Sequence, residues 1–405
     1  MEKKKPEIRF NGFEGEWEKD NAVYIFETYY DKNHPNLPVL SASQELGMVI
    51  RDNVGFQVQH NKENEVGYKR VLPGQFVIHL RSFQGGFAHS MVEGITSPAY
   101  TVMQFKKSSK QDDIYWKYVL TSKTFIKRLE TVTYGIRDGR SISFEDFSEL
   151  NFTFPTISEQ EKIGLFLTTL DKLIAKLEAK LDKLRKLKQA LLEKMFANVN
   201  RVNETPEIRF KGYTDKWQVK ELRNYFIVAT ERNQSGEYNK YDIYSVSREF
   251  GVINQIEYQG KSFAGASLAN YGVVQTGDLV YTKSPLKSQP YGIIKTNEGE
   301  AGIVSALYGV YHPKECVHSP FTQVYFDLNS RLNNYLRPLV NKGAKNTLLI
   351  SDEDSLNGRV AFPSKDEQKV IAHLFKEHCL CERKTELKLT KLRNIKQSLL
   401  QKMFA

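Results

Sequence analysis

Leucine and isoleucine recur between Ser158 and Phe196 at Ile163, Leu167, Leu170, Ile174, Leu177, Leu181, Leu184 and Leu191, four and three residues apart in alternation as far as Leu184. That spacing keeps one apolar stripe on one side of a helix, the seam of a coiled coil. No proline interrupts the run, so the pattern predicts a single helix of roughly 58 Å. A second run from Ser364 to Phe404 carries Ile371, Leu374, Leu389, Leu392, Ile395 and Leu399 on its seam. Phe154-Pro155 returns as Phe362-Pro363, Glu159-Gln160 as Glu367-Gln368, and Lys183-Leu184-Arg185 as Lys391-Leu392-Arg393. The stretch Gln189–Ala197 returns as Gln397–Ala405, every match at an offset of 208. An in-register match of that extent is a duplication.

The stretch before each helix is duplicated too. Pro6–Glu18, PEIRFNGFEGEWE, returns as Pro206–Gln218, PEIRFKGYTDKWQ, at an offset of 200. Ser41–Gly47 resembles Ser245–Gly251, Pro73–Val77 resembles Thr276–Val280, and Gly94–Ser97 resembles Gly302–Ser305. Each is a turn followed by β-branched or aromatic residues, the pattern of short strands. Helical stretches are expected near Ile114–Leu129 and Ser330–Val340. The predicted fold class is therefore α+β: two similar mixed α/β domains, residues 1–157 and 198–363, separated by long helices at 158–197 and 364–405. Ser158 to Glu161 has the spacing of a capping box, and Asp366 is the expected cap of the second helix.

Charge decides how the helices pair. Lys172–Lys194 holds eight Lys/Arg against three Asp/Glu and Arg383–Lys402 seven against one, together slightly more than the chain's whole net charge of +10. Parallel pairing would set these basic halves side by side. Antiparallel pairing sets each against the acidic start of the other helix and opposes the helix dipoles. The prediction is an antiparallel two-helix coiled coil relating the two domains by a pseudo-twofold axis. The basic flanks, including Lys186, Lys188, Lys391 and Lys396, suit an anionic partner or plain solubility. With three cysteines, no apolar run of 18 residues and a Lys-rich start, the chain reads as cytoplasmic, with no disulfide framework and no membrane partner.

Catalytic signatures are missing. Gly260-Lys261-Ser262 lacks the earlier glycine of a phosphate loop, Gln255 standing in its place. No glycine fingerprint for a nucleotide cofactor and no Asn-Pro-Pro-aromatic element for methylating adenine is found. His373, His378, Cys379 and Cys381 cluster as zinc ligands do, but at the 208 offset His373, His378 and Cys381 replace Leu165, Leu170 and Leu173, so a diluted apolar seam explains them better. Glu367-Gln368-Lys369 imitates a nuclease triplet, yet its copy Glu159-Gln160-Glu161 lacks the lysine. No catalytic residue and no metal ligand is assigned.

Two diverged regions, each opened by PEIRF-x-G and closed by Phe-Pro-x-x-x-Glu-Gln and a helix ending in K-L-R and LL-x-K-M-F, resemble the specificity subunit of type I restriction-modification systems. The resemblance covers essentially the whole chain. It implies that the globular regions are target recognition domains, each reading one half of a bipartite, asymmetric site in double-stranded DNA. The helices would be conserved spacers that set the gap and dock adenine-N6 methyltransferase subunits, through which restriction subunits join. It implies no cofactor on this chain, with S-adenosylmethionine, ATP and magnesium on the partners. Two other classes stay open at this level: a DNA-reading nuclease or methyltransferase, and a coiled-coil scaffold without DNA readout.

Loops that differ between the two domains are the expected carriers of base contacts, because arginine pairs with guanine through two bonds and glycine lets the backbone approach closely. In the first domain these are Arg81, Ser82 and Gln84 before Gly85-Gly86, and Arg137 and Arg140 in the GIRDGR stretch. In the second they are Lys283, Ser284, Lys287, Ser288 and Gln289, then Lys345 and Asn346. Within the repeated SASQELG and SVSREFG turns only Gln44 and Arg248 differ in the way a reader would. Each of these residues also fits an ordinary solvated turn. Tyr134 is a further candidate, for stacking.

Overall fold

Phe154-Pro155 and Phe362-Pro363 each end a strand and release a long helix, so the same junction organises both repeats. The computed structural model describes residues 5–43, 46–54, 62–78, 87–132, 142–199, 205–262, 265, 267–286, 288–343 and 348–404. The chain falls into two compact units, Met1–Glu178 with Leu387–Ala405, and Ala179–Glu386.

The first unit contains strands β1 (Glu18–Asn21), β2 (Phe26–Tyr29), β3 (Leu40–Ser43), β4 (Gly47–Ile50), β5 (Lys69–Val71), β6 (Phe76–Ile78), β7 (Ala88–His89), β8 (Gly94–Thr96), β9 (Thr101–Phe105) and β10 (Asn151–Phe154). Its helices are α1 (Ala22–Ile25), α2 (Asp113–Leu120), α3 (Lys123–Val132), α4 (Phe144–Ser148) and the start of α5 (Ile157–Lys194). β1 pairs antiparallel with β10, Glu18 opposite Phe154, so the strand entering the domain lies beside the one that leaves it. A four-stranded sheet runs β2-β9-β6-β7, and β3-β4 and β5-β8 form separate pairs. Helices cover the sheet through Phe26, Phe76, Trp116 and Phe147, all fully buried. Phe26 meets the Trp116 ring edge-to-face, with centroids 5.1 Å apart.

In the second unit the strands are β11 (Gln218–Glu221), β12 (Phe226–Val228), β13 (Ile243–Ser247), β14 (Gly251–Asn254), β15 (Gly272–Val274), β16 (Leu279–Tyr281), β17 (Ile294–Thr296), β18 (Gly302–Val304), β19 (Gly309–Pro313), β20 (Asn341–Lys342), β21 (Leu348–Leu349) and β22 (Arg359–Phe362). Its helices are α6 (Gln255–Gln259), α7 (Ser319–Phe326), α8 (Asn329–Leu336), α9 (Asp352–Ser355) and most of α10 (Lys365–Lys402). β11 pairs with β22, Gln218 opposite Phe362, reproducing the closing pair of the first unit. Order β12-β19-β16-β17 repeats β2-β9-β6-β7 strand for strand. The other sheet, β14-β13-β18-β15, is continuous where the first unit keeps two pairs, with parallel bridges from Val39 to Ile95 and from Met48 to Ser90.

The α+β class, the internal repeat and the two long helices stand as predicted; several boundaries move. The helix expected over Ile114–Leu129 is two helices, α2 and α3, broken at Thr121-Ser122, where the Thr121 hydroxyl turns back to the Lys117 carbonyl at 2.6 Å. The one expected at Ser330–Val340 is α8, preceded by α7. Ser158 and Asp366 are not caps. Gln160 N–H donates to the Thr156 carbonyl and Gln368 N–H to the Ser364 carbonyl, both at 3.0 Å, so each helix starts two residues earlier.

Candidate nucleic-acid interface

The duplicated motifs turn out to hold the frame together. Arg9 Nε and Nη2 donate to the two carboxylate oxygens of Glu159 at 2.8 and 2.7 Å, and Arg209 does the same to Glu367 at 2.7 Å twice. Both glutamates are buried, so each arginine of PEIRF neutralises a carboxylate that has lost its water. The neighbouring glutamines are buried as well. Gln160 donates to the Pro155 carbonyl at 2.8 Å and accepts from Asp112 N–H at 3.0 Å; Gln368 donates to Pro363 at 3.0 Å and accepts from His318 N–H at 2.9 Å. The Glu-Gln pair therefore ties the helix start to the strap in front of the domain and to the helix beyond the sheet. Both carboxylate oxygens of Glu367 accept from Arg209, so this glutamate serves the clamp. The strap also reaches a helix end: Ile8 N–H donates to the Lys402 carbonyl and Ile208 N–H to the Lys194 carbonyl, both at 3.0 Å.

The helices pair antiparallel in both units. In the first, Glu178 of α5 meets Arg393 of α10 at 2.6 Å, and Asp171 meets Lys396. In the second, Arg185 meets Glu386 at 2.5 Å and Lys188 lies 3.9 Å from Glu382. As the number rises on one helix it falls on the other, and Arg185–Glu386 is Arg393–Glu178 over again with the helices exchanged. Ile163, Leu167, Leu170, Leu181, Ile371 and Leu389 are buried; Ile174, Leu177, Leu184, Leu191, Leu374, Leu392 and Leu399 are half-buried. Ile395 is 40% exposed and lies off the seam. The line on α10 runs Leu389, Leu392, Lys396, Leu399, Met403, and three-four alternation from Leu392 reaches Lys396. Lys188 holds the equivalent place on α5, its Nζ 3.2 Å from Cys379 Sγ. Lys188 and Lys396 thus belong to the seam and not to an outer basic flank. In the second unit Arg331 donates to the Leu192 carbonyl at 2.6 Å in the last turns of α5, stacked on the Phe196 ring at 4.5 Å, and burial pushes its pKa down to about 10.

Among the candidate base readers, Gln44, Arg81, Ser82, Gln84, Arg137, Arg140, Lys287, Lys345 and Asn346 lie outside the described residues, as does Tyr134. The other five fall in the second unit. Arg248, exposed on the turn between β13 and β14, donates to Ser288 Oγ at 2.7 Å and to Asn329 Oδ1 at 3.2 Å. Gln289 is buried and donates to the same Asn329 oxygen at 2.6 Å, while its own amide oxygen accepts from Ser288 Oγ at 3.0 Å. Gln289 therefore orients the partners of Arg248 from beneath. Lys283 has φ +49°, rare for a side-chain-bearing residue, and its Nζ meets Asp352 at 2.7 Å. That pair spends its charge inside the domain. Ser284 stays exposed, its hydroxyl on the Thr282 carbonyl at 3.2 Å. Sequence reading missed Asn329, the hub of this network, because it opens α8 far from the loop it serves.

One charged network sets the two units apart. His312 Nδ1 lies 2.7 Å from Asp278 and Nε2 3.1 Å from Glu231. At the places of Asp278 and His312 the first unit has the neutral Gln75 and Gln104: Gln75 donates to Gln104, and Gln104 donates to the Glu27 carboxylate, both at 2.9 Å. Burial alone would lower the His312 pKa, but the hydrogen bonds and charges of Asp278 and then Glu231 outweigh it and raise it. A raised folded-state value gives stability that is full below the unfolded pKa of about 6.5 and lost as pH climbs through the folded value. The urea midpoint of the second unit is expected to fall between pH 6 and 8. His312→Gln, which copies Gln104, is expected to flatten that slope, and an unchanged slope would contradict the assignment.

Among the described residues no three His, Cys, Asp or Glu side chains come together to hold a metal ion, and no helix is long and apolar enough to cross a membrane. His378 is buried on the seam with neither ring nitrogen hydrogen-bonded to any of the described residues, and Cys379 is exposed beside Lys188.

Comparison with known proteins agrees with this layout. A curated relative, the putative type I restriction enzyme MjaX specificity subunit of Methanocaldococcus jannaschii, is 24% identical over 261 residues, 58% of this chain and 54% of the relative. The match thus spans about half the length of that relative. The crystal structure of the type I restriction-modification system S subunit from M. genitalium is similar with a TM-score of 0.58 at 14% identity, covering 99% of both chains. At that identity the likeness speaks for the fold alone. The family model for the type I restriction modification DNA specificity domain matches residues 25–189, so that stretch of the chain is similar to this domain.

Proposed function

We propose that this chain is the non-catalytic specificity subunit of a type I restriction-modification complex in the cytoplasm. Residues 1–157 and 198–363 act as target recognition domains, each reading one half of a bipartite site in duplex DNA. The helices 158–197 and 364–405 set the gap and dock adenine-N6 methyltransferase subunits. Those subunits bring S-adenosylmethionine, and restriction subunits joined through them bring ATP and magnesium. One observation carries this reading: the same frame is built twice, down to the Arg–Glu clamps, while the loops it displays differ. Two copies of a shared partner need the repeated frame, and an asymmetric DNA site needs the divergent loops.

Arg248 is the reader this account assigns in the second domain. Its guanidinium is aimed by two neutral acceptors, Ser288 and Asn329, which leaves its charge available to a base edge or phosphate. Arg248→Ala in the complex reconstituted with its methyltransferase is expected to lower methylation of the half-site read by the second domain by about 10- to 100-fold. Assembly and the preference for the other half-site should stay intact. Full activity at both half-sites would remove Arg248 from the interface.

A further inference from the structure

Each unit raises one large apolar side chain on the same hairpin. β3 and β4 close with Ser43 opposite Gly47, and β13 and β14 with Ser247 opposite Gly251, leaving three-residue turns. The glycines have φ +76° and +74°, the left-handed residue that returns the chain to the strand after such a turn. At the last turn position Leu46 is 67% exposed and Phe250 41% exposed. Ser43 Oγ accepts from Leu46 N–H at 3.2 Å, and Ser247 Oγ from Glu249 and Phe250 N–H at 3.3 Å each. The Phe250 ring is braced by Tyr258, centroids 5.2 Å apart, and by the Arg383 guanidinium 5.3 Å away.

We propose that Phe250, and Leu46 in the first unit, are wedges that press between adjacent base pairs of the bound half-site and partly unstack them. This rests on the DNA-reading function proposed above. Leucine and phenylalanine are side chains suited to parting a base step, and a wedge needs cations beside it to hold the phosphates of the deformed duplex. Arg248 shares the Phe250 turn, both of its hydrogen-bond acceptors among the described residues are neutral, and the Arg383 guanidinium lies over the ring. The repeat argues for DNA over a protein surface. A surface that met the same protein partner in both halves would be kept as the frame-building motifs PEIRF and LL-x-K-M-F are, whereas this tip changes from Gln44-Glu45-Leu46 to Arg248-Glu249-Phe250. Divergence at a fixed register is what two readers of different sequences require. The wedge also supplies discrimination at steps no side chain hydrogen-bonds, because pyrimidine–purine steps open more easily than others.

The test places 2-aminopurine at successive positions through the half-site read by the second domain, in duplexes bound by the complex reconstituted with its methyltransferase. The wild-type complex is expected to raise fluorescence at one step. Phe250→Ala should abolish that signal and weaken specific binding about tenfold, leaving the salt dependence of binding unchanged. Phe250→Leu, which copies Leu46, should keep it, and Arg383→Gln should reduce the slope of log affinity against log salt by about 0.9. An even profile along the wild-type half-site, or a signal that survives Phe250→Ala, overturns the wedge. So does a Phe250→Ala chain that no longer joins the methyltransferase, which would put the ring at a protein interface. A wild-type complex with no sequence preference at all defeats the DNA-reading function itself.

Discussion

Arg209→Ala is expected to destabilise the second unit by about 3–5 kcal/mol. The cost comes from what remains and not from the bonds removed. Glu367 is buried, its two oxygens accept from Arg209 at 2.7 Å, and without that guanidinium a carboxylate sits unpaired at the start of α10. Arg9→Ala should do the same to the first unit through Glu159. Removing both charges is milder: Arg209→Met with Glu367→Leu should recover much of the loss, since a well-packed apolar pair replaces a buried ion pair at little cost. Urea unfolding read by hydrogen exchange separates the two units. Equal losses for the single and double replacements would contradict the clamp as the source of stability.

Gly302→Ala is the second large effect, with about 3 kcal/mol lost. A Cβ on Gly302 would stand 2.4 Å from the Tyr244 ring and 2.5 Å from the Asp242 carbonyl oxygen. That carbonyl accepts from Ile303 N–H at 2.9 Å, so the collision falls on the ladder joining β18 to β13 and cannot be relieved by turning a side chain. Gly94 repeats the arrangement: its Cβ would lie 2.5 Å from the Pro38 carbonyl oxygen, which accepts from Ile95 N–H at 2.9 Å. Gly94→Ala should cost the first unit as much. Gly67→Ala is the control, since a Cβ there meets nothing within 4 Å, and its melting curve should barely move.

These two results bear on what a sequence reader can see. The duplication was legible because selection on a frame built twice leaves the same letters in register, but Gly94-Ile95 and Gly302-Ile303 read as turn and strand, and the close approach to the neighbouring strand at each glycine was not. The antiparallel pairing followed from where the lysines and arginines lie. Roles inside the frame were not legible. Arg9 and Glu159 are 150 residues apart, and nothing local tells a reader that PEIRF exists to neutralise the Glu of Glu-Gln. The same limit hid the seam lysines. Lys188 and Lys396 look like surface charge until the helix partner brings Cys379 and Asp171 alongside them, and Ile395 looks like seam until Lys396 takes its place. Within the candidate interface, Arg248 was visible as a difference between two otherwise similar turns. Its aim depends on Asn329 and Gln289, which reach it from other parts of the fold.

The account's central claim is that one chain displays two different DNA readers on a duplicated frame and leaves the chemistry to its partners. Mapping N6-methyladenine across a genome that carries this chain with its cognate methyltransferase tests that claim directly. The account predicts methylation within one bipartite motif, two unlike half-sites separated by a fixed run of unspecified bases. Methylation at a single uninterrupted motif, or at no recurrent sequence, would contradict it.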